Sequence, residues 1–150
     1  MPSLQARRLV LRNDVAELER LAGWIQGWSE QGVSSDVAFA MALCLEEAVA
    51  NVIMYGGAKD ASLEIAVEVE RNGEALVAMI EDNGRQFDPT QVPPPPALTS
   101  LEEAKIGDLG IHLMRSFANG MHYERRDGRN RLTLRFLEPA ARSMQSGWRR

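Results

Sequence analysis

Cysteine is all but missing from this chain of 150 residues, with Cys44 the only one. It stands among Ala42, Leu43 and Leu45 and reads as a small apolar filler, which excludes a disulfide framework and a thiolate metal site. Histidine is nearly as scarce: His112 and His122 lie ten apart with no carboxylate or cysteine at ligand spacing, so no structural metal is expected. No unbroken run of about 18 apolar residues occurs, and the opening Met-Pro-Ser-Leu-Gln lacks the basic and apolar regions of a secretory signal. The expectation is therefore a cytoplasmic protein with no membrane contact. No G-x-x-x-x-G-K-[ST] loop is present, which excludes a Walker-type phosphate cradle. A net charge of −4 gives no general pull toward nucleic acid. Arg125, Arg126, Arg129, Arg131 and Arg135 do cluster late, but their alternation reads as a solvated strand face.

What is present suits one folded unit, since 45% of residues are hydrophobic and 25% charged. Residues 4–12 read as a strand, and Asn13-Asp14 can cap a helix whose apolar face is Val15, Leu18, Leu21, Ile25 and Trp28. Gly32 stops it. Ser34-Ser35-Asp36 offers cap oxygens for a second helix through Phe39, Leu43, Glu47 and Asn51, ended by Gly56-Gly57. Residues 62–70 alternate as a half-buried strand, Asn72-Gly73 turns the chain, and 75–80 return as a more apolar, central strand. Residues 85–106 have no period and hold four consecutive prolines from Pro93, so a surface lid over about 86–106 is expected. Leu109–Ala118 has helical spacing, with Met114, Phe117 and the earlier Trp28 read as core. Residues 121–126 and 131–137 form a closing hairpin around Asp127-Gly128. This order predicts an α+β two-layer sandwich, with three helices on one face of a mostly antiparallel, mixed sheet. The domain is expected over 1–138, with 139–150 as a flexible C-terminal tail.

Three elements carry chemistry. Glu47, Asn51 and Tyr55 recur four apart on the second helix and so share a stripe beside its apolar face. Asp82-Asn83-Gly84-Arg85-Gln86-Phe87-Asp88-Pro89 follows an apolar strand directly and delivers an aspartate to the sheet edge, where a plain turn is the competing explanation. Gly107-Asp108-Leu109-Gly110 opens a helix and exposes N–H groups and the positive dipole end to an anion.

Together and in this order, LCLEEAVANVIMYGG, IEDNGRQFDP and IGDLGIHLMRSFANGMHYERRDGRNRLTLRF resemble the N, G1 and G2 boxes of the GHKL (Bergerat-fold) ATP-binding domain. Within it they are most similar to free-standing anti-sigma factor serine/threonine kinases of the RsbW and SpoIIAB type, over about residues 4–137. The resemblance implies ATP and Mg²⁺, with Asn51 contacting the metal and Glu47 as general base. Glu46 points about 100° away and is read as its solvated neighbour. On the same pattern Asp82 accepts from the adenine amino group and Gly84 lets the backbone pass close. Further nucleotide contacts fall on Phe87, Gly107, Leu109, Gly110 and Thr133. Tyr55 stands where several relatives have histidine, and an edge or packing role is expected of it. Asp108 falls where a third glycine is frequent. Lys105, at the lid's end, is within reach of the phosphates or solvated.

The resemblance further implies a kinase that phosphorylates a STAS-type anti-anti-sigma protein, sequesters a sigma factor and forms a homodimer. Direct nucleic-acid binding is not part of it. Arg7, Arg8, Leu9 and Leu11 can supply the dimer edge or a buried strand. A non-catalytic ATP/ADP switch module that regulates a protein partner would keep Asp82 and the glycines without depending on Glu47.

Overall fold

A computed structural model describes residues 7–29, 32–56, 63–93 and 106–138. The chain runs β1 (Arg7–Arg12), α1 (Glu17–Ser29), α2 (Ser35–Tyr55), β2 (Glu64–Asn72), β3 (Ala75–Asp82), a 3-10 turn (Pro89–Gln91), α3 (Ile106–Phe117), β4 (Gly120–Arg126) and β5 (Arg129–Leu137). The five strands form one sheet in the order β1-β2-β3-β5-β4. Every pairing is antiparallel, so the expected mixed character is not seen among the described residues.

Alternation decides which face of the sheet is covered. Leu9 and Leu11 of β1, Ile65, Val67 and Val69 of β2, Leu76, Ala78 and Ile80 of β3, and Leu132, Leu134 and Phe136 of β5 all point into one core. The helices close that core from the same side. On α1 the three- and four-residue steps bury Leu21, Ile25 and Trp28, whereas Val15 precedes the helix and is exposed. Leu9 and Leu11 are thus core residues, and the outward residues of the edge strand are Arg8, Val10 and Arg12.

Helix α2 is the spine of the helical layer. Ser34 caps it by accepting from the Val37 N–H at 3.3 Å, and Val37, Met41, Cys44, Leu45, Ala48, Val49 and Ile53 form its buried side. By length and composition it would also suit a membrane span, a test that a core helix passes too. It packs against α1, α3 and the inner face of β3 and β5.

Two hairpins set the register. Asn72 still pairs with Ala75, so the first turn is Gly73-Glu74, with Gly73 taking the positive φ of 65°. Asp127 and Gly128 both adopt positive φ, 52° and 74°, as a two-residue turn between right-twisted strands requires.

Two departures concern elements near the site. Helix α3 starts at Ile106 and not at Leu109. Phe117, expected in the core, is 39% exposed and meets Phe39 edge-on with ring centroids 6.0 Å apart. Steps of three residues fall about 60° short of a full turn, so 111, 114 and 117 drift off the buried stripe. Met114 and Trp28 are buried as expected. Of the lid, only the part up to Pro93 lies within the described residues. Lys105, most of the proline run and the stretch 139–150 fall outside them.

Candidate nucleotide site

A cleft with about 510 Å³ of space, its mouth included, opens between α2, the ends of β3 and β5, and the segment after β3. Ala48, Ile80, Met114 and Leu132 give it an apolar floor. Asn51 and Tyr55 line the α2 side, with Tyr55 48% exposed at the mouth. Phe87, also exposed, and the buried Pro89 line the opposite rim.

Asp82 continues the inward series Leu76, Ala78, Ile80, so a carboxylate occupies a position where the pattern calls for an apolar side chain. It is only 4% exposed. Its Oδ1 accepts from the Gly84 N–H at 2.9 Å and from Asn130 Nδ2 at 3.0 Å. Burial pushes this carboxyl above the usual aspartate range, while the bonds from Asn130 and Gly84 and the charge of Arg125 pull it back in part. With Oδ1 occupied by the protein, Oδ2 is the oxygen that can accept from a ligand.

Gly84 joins this loop to α2. A Cβ there would lie 2.5 Å from the Gly56 carbonyl oxygen and 2.8 Å from Leu63 Cδ1, and the Arg85 N–H donates to the same Gly56 oxygen at 3.1 Å. Any side chain at 84 would separate the loop from the helix end. Arg125, counted in the solvated arginine cluster by sequence, instead donates to the Gly84 carbonyl at 2.9 Å. Arg129 and Arg131 do lie on the outer face, where both pair with Glu81.

At the other end, α3 passes against Glu47. A Cβ on Gly110 would run into Glu47 Oε2 and lie 3.3 Å from its Cδ. The half-buried Glu47 carboxylate therefore sits against the fifth residue of α3, just past its first turn, and one α2 turn from Asn51. The backbones of Gly107 and Leu109 belong to that first turn; the side chains of Asp108 and Leu109 lie outside the described residues. Glu46 is half-buried and not fully solvated, and burial, then the Glu47 charge, raises its carboxyl above the ordinary range.

The structure thus places Asn51, Asp82 and Phe87 on one cleft, Gly84 on the loop behind Asp82, and Glu47 against Gly110 of α3, one helical turn from Asn51. It does not bring Thr133 to the cleft. Leu132, Leu134 and Phe136 point inward, so Thr133 faces outward between Met79 and His122, on the sheet side away from the cleft. The β5 residue that enters the site is Asn130, which sequence reasoning passed over. Its signal was legible: a polar residue two positions before Leu132, in phase with the buried series. Tyr123 was also missed; its hydroxyl donates to Asn130 Oδ1 at 2.5 Å.

The donor set bears on the implied magnesium. Among the described residues, no group of three or more His, Cys, Asp or Glu side chains can hold a metal. An ion beside Asn51 would have to complete its shell with phosphate oxygens and water, which suits Mg²⁺ carried in with a nucleotide.

An α+β sandwich with a buried aspartate at the end of a central strand, glycines at two close approaches and an E-x-x-x-N helix defines a nucleotide-binding class. The model of the histidine kinase-like ATPase domain family matches residues 11–136, and the chain belongs to that family. Among curated relatives, the serine/threonine-protein kinase BtrW of Bordetella bronchiseptica is 36% identical over 101 residues, 67% of this chain and 71% of that one. Solved structures support the fold. The RsbU and RsbW domains of Rv1364c from Mycobacterium tuberculosis match 90% of this chain with a TM-score of 0.66 at 15% identity. The histidine kinase domain of the Erythrobacter litoralis EL346 blue-light activated histidine kinase matches 86% with a TM-score of 0.55 at 17% identity. This chain spans only 32% and 63% of those two chains.

Proposed function

We propose that this chain is an ATP-dependent protein serine/threonine kinase and anti-sigma factor, its kinase domain spanning residues 1–138. The observation that carries the reading is the Glu47 carboxylate set against Gly110 of α3, one helical turn from Asn51, which lines the same cleft as Asp82. The kinship with a serine/threonine-protein kinase at 36% identity supports the activity.

In this reading the adenine amino group donates to Asp82 Oδ2, and the apolar floor of Ala48, Ile80 and Leu132 holds the base, with Phe87 at the rim. The free N–H groups at the positive end of α3, that of Gly107 among them, receive the phosphates, and Leu109 and Gly110 form the turn behind them. Asn51 would hold Mg²⁺ through its amide oxygen, and the ion would supply neutralisation of the phosphate charge. Glu47 accepts the proton of the acceptor Ser or Thr hydroxyl as that oxygen bonds to the γ-phosphorus and the bond to ADP breaks. Alignment and charge stabilisation do most of the work of such a transfer, so a carboxylate at hydrogen-bond reach suffices.

The partners we assign are a STAS-type anti-anti-sigma protein as phospho-acceptor and a sigma factor as the sequestered ligand, with a homodimer acting in the cytoplasm. The test incubates the purified protein with Mg·ATP and a STAS candidate and follows phosphate on the acceptor, for wild type and Glu47→Ala. Transfer that disappears in the variant while ATP still binds supports the reading. Binding without transfer in both proteins would instead favour a nucleotide-dependent switch.

A further inference from the structure

Beyond the cleft floor, α3 carries Arg115, a half-buried residue that the nucleotide reading leaves without a role. Its Nη2 donates to the main-chain oxygens of Pro89 at 3.2 Å, of Thr90 at 3.1 Å, and of Val92. These carbonyls form the electronegative end of the Pro89–Gln91 turn. The other end is capped by Asp88, whose Oδ1 accepts from the Thr90 N–H at 2.8 Å and the Thr90 hydroxyl at 2.6 Å. A carboxylate at the start and a guanidinium at the finish complement the small dipole of the turn. All three bonds come from the one Nη2 nitrogen, so the clamp depends on the reach and permanent charge of the guanidinium, and the shorter lysine can restore it only in part.

The position of the turn gives the clamp its consequence. Pro89 and Met114, the residue before Arg115, both line the cleft. The upstream end of the same segment is tied to β4 and β5: Arg125 donates to the Gly84 oxygen, Asn130 Nδ2 to the Arg85 oxygen at 2.7 Å, and the Phe87 N–H to Asn130 Oδ1 at 3.3 Å. Residues 84–92 are therefore fastened to the strands at one end and to α3 at the other.

We propose that Arg115 is a positioning residue for nucleotide binding: by fastening Pro89–Val92 to the last turn of α3, beside the cleft-lining Met114, it sets the spacing between the segment after β3 and α3 across the cleft. The inference rests on the nucleotide reading above. Arg115 touches neither base nor phosphate in it, and acts by holding the two walls in register.

The test compares wild type with Arg115→Lys and Arg115→Met, by amide hydrogen exchange without nucleotide and by equilibrium titration with a fluorescent ATP analogue. The Gln91 and Val92 N–H groups close the turn onto the Asp88 and Pro89 oxygens. Their exchange should speed up in Arg115→Met and less so in Arg115→Lys, with β2 and β3 amides unchanged. The dissociation constant should rise about tenfold in Arg115→Met, with partial rescue by lysine, and in a transfer assay KM for ATP should rise while kcat at saturation holds. Unchanged exchange at Gln91 and Val92 would overturn the clamp. Faster exchange with undiminished affinity would reduce it to a local structural contact. If Arg115→Met fails to fold, Arg115→Lys decides, since a folded lysine variant with wild-type affinity sinks the proposal. Failure of the wild type to bind the analogue would instead overturn the nucleotide reading, and with it the positioning role of Arg115, while the exchange arm still reports whether the clamp exists.

Discussion

Asp82 and Asn130 stand directly opposite each other on β3 and β5, and Asn130 Nδ2 donates to Asp82 Oδ1 at 3.0 Å. They are the two buried polar or charged side chains among the described residues, 4% and 6% exposed. Asn130 spends its whole hydrogen-bonding capacity on the protein: two donors to Asp82 and the Arg85 oxygen, and acceptance from the Phe87 N–H and the Tyr123 hydroxyl. A single amide thus aims the Asp82 carboxylate, shapes the loop after β3 and fixes the edge strand β4.

Truncation at 130 should therefore reach both fold and ligand. Asn130→Ala leaves the buried Asp82 with one partner fewer and strands the Arg85 carbonyl, for a loss of about 2–3 kcal/mol. Nucleotide affinity should fall along with it. Thr133→Ala, on the outer face, should change stability by less than about 0.5 kcal/mol and affinity not at all. Urea melts and nucleotide titrations of the two variants check the contrast.

Most of the architecture was legible in the sequence because it rests on periodicity. Leu21, Ile25 and Trp28 on α1, and the alternation of β2 and β5, needed no partner strand to be recognised. The close approaches at Gly84 and Gly110 and the sheet-edge position of Asp82 were legible as well, since their residue types answer local demands. Strand register was harder. Which residue of β5 meets Asp82 depends on a pairing across 48 positions, and the expected contact at Thr133 falls on a position that the alternation excludes. Arg115 was passed over and Arg125 read as solvated for a related reason: each acts on main-chain oxygens of a distant loop, and carbonyls leave no mark in a sequence.

The raised pKa of Asp82 has a definite sign for stability. A carboxyl whose folded value exceeds the unfolded value of about 3.9 favours folding when protonated. That contribution is complete below about pH 3.9 and is lost as pH rises through the folded value. Above that folded value the ionised, buried Asp82 is a cost to the free protein. Asp82→Asn removes the charge and keeps an oxygen for Gly84 and Asn130. It should melt above the wild type at pH 7, with the gap narrowing toward about pH 4, and should lose nucleotide binding. Thermal melts across that range check this, and a variant melting below wild type at pH 7 would contradict it.

Cys44 offers a probe of opening. Burial, and secondarily the Glu47 charge, push its thiol up to about 12, against about 8.5 for a free cysteine. The thiolate, which is the reactive form, is then nearly absent at neutral pH. A disulfide reagent at about pH 7.5 should label the native protein only as fast as the core opens, and urea should raise the rate in step with unfolding. Rapid labelling of the native state would show that α2 and α3 part readily at this point.

The two close-approach glycines should fail in different ways when given a methyl group. At Gly84 the obstruction is the Gly56 backbone oxygen, 2.5 Å from the new Cβ, with Leu63 Cδ1 at 2.8 Å. Main chain cannot step aside, so Gly84→Ala must push the loop off α2, and several kcal/mol of stability should go with it, on the order of 3. At Gly110 the obstruction is the far end of the Glu47 side chain, which can rotate away. Alanine is also the better helix former there, by about 1 kcal/mol. Gly110→Ala should consequently keep or raise the melting temperature while displacing the carboxylate assigned as general base. Phosphate transfer should drop about a hundredfold in kcat, as expected when a general base is moved off its mark. Paired melting and transfer assays on the two variants separate a glycine needed for folding from one needed to leave room for Glu47.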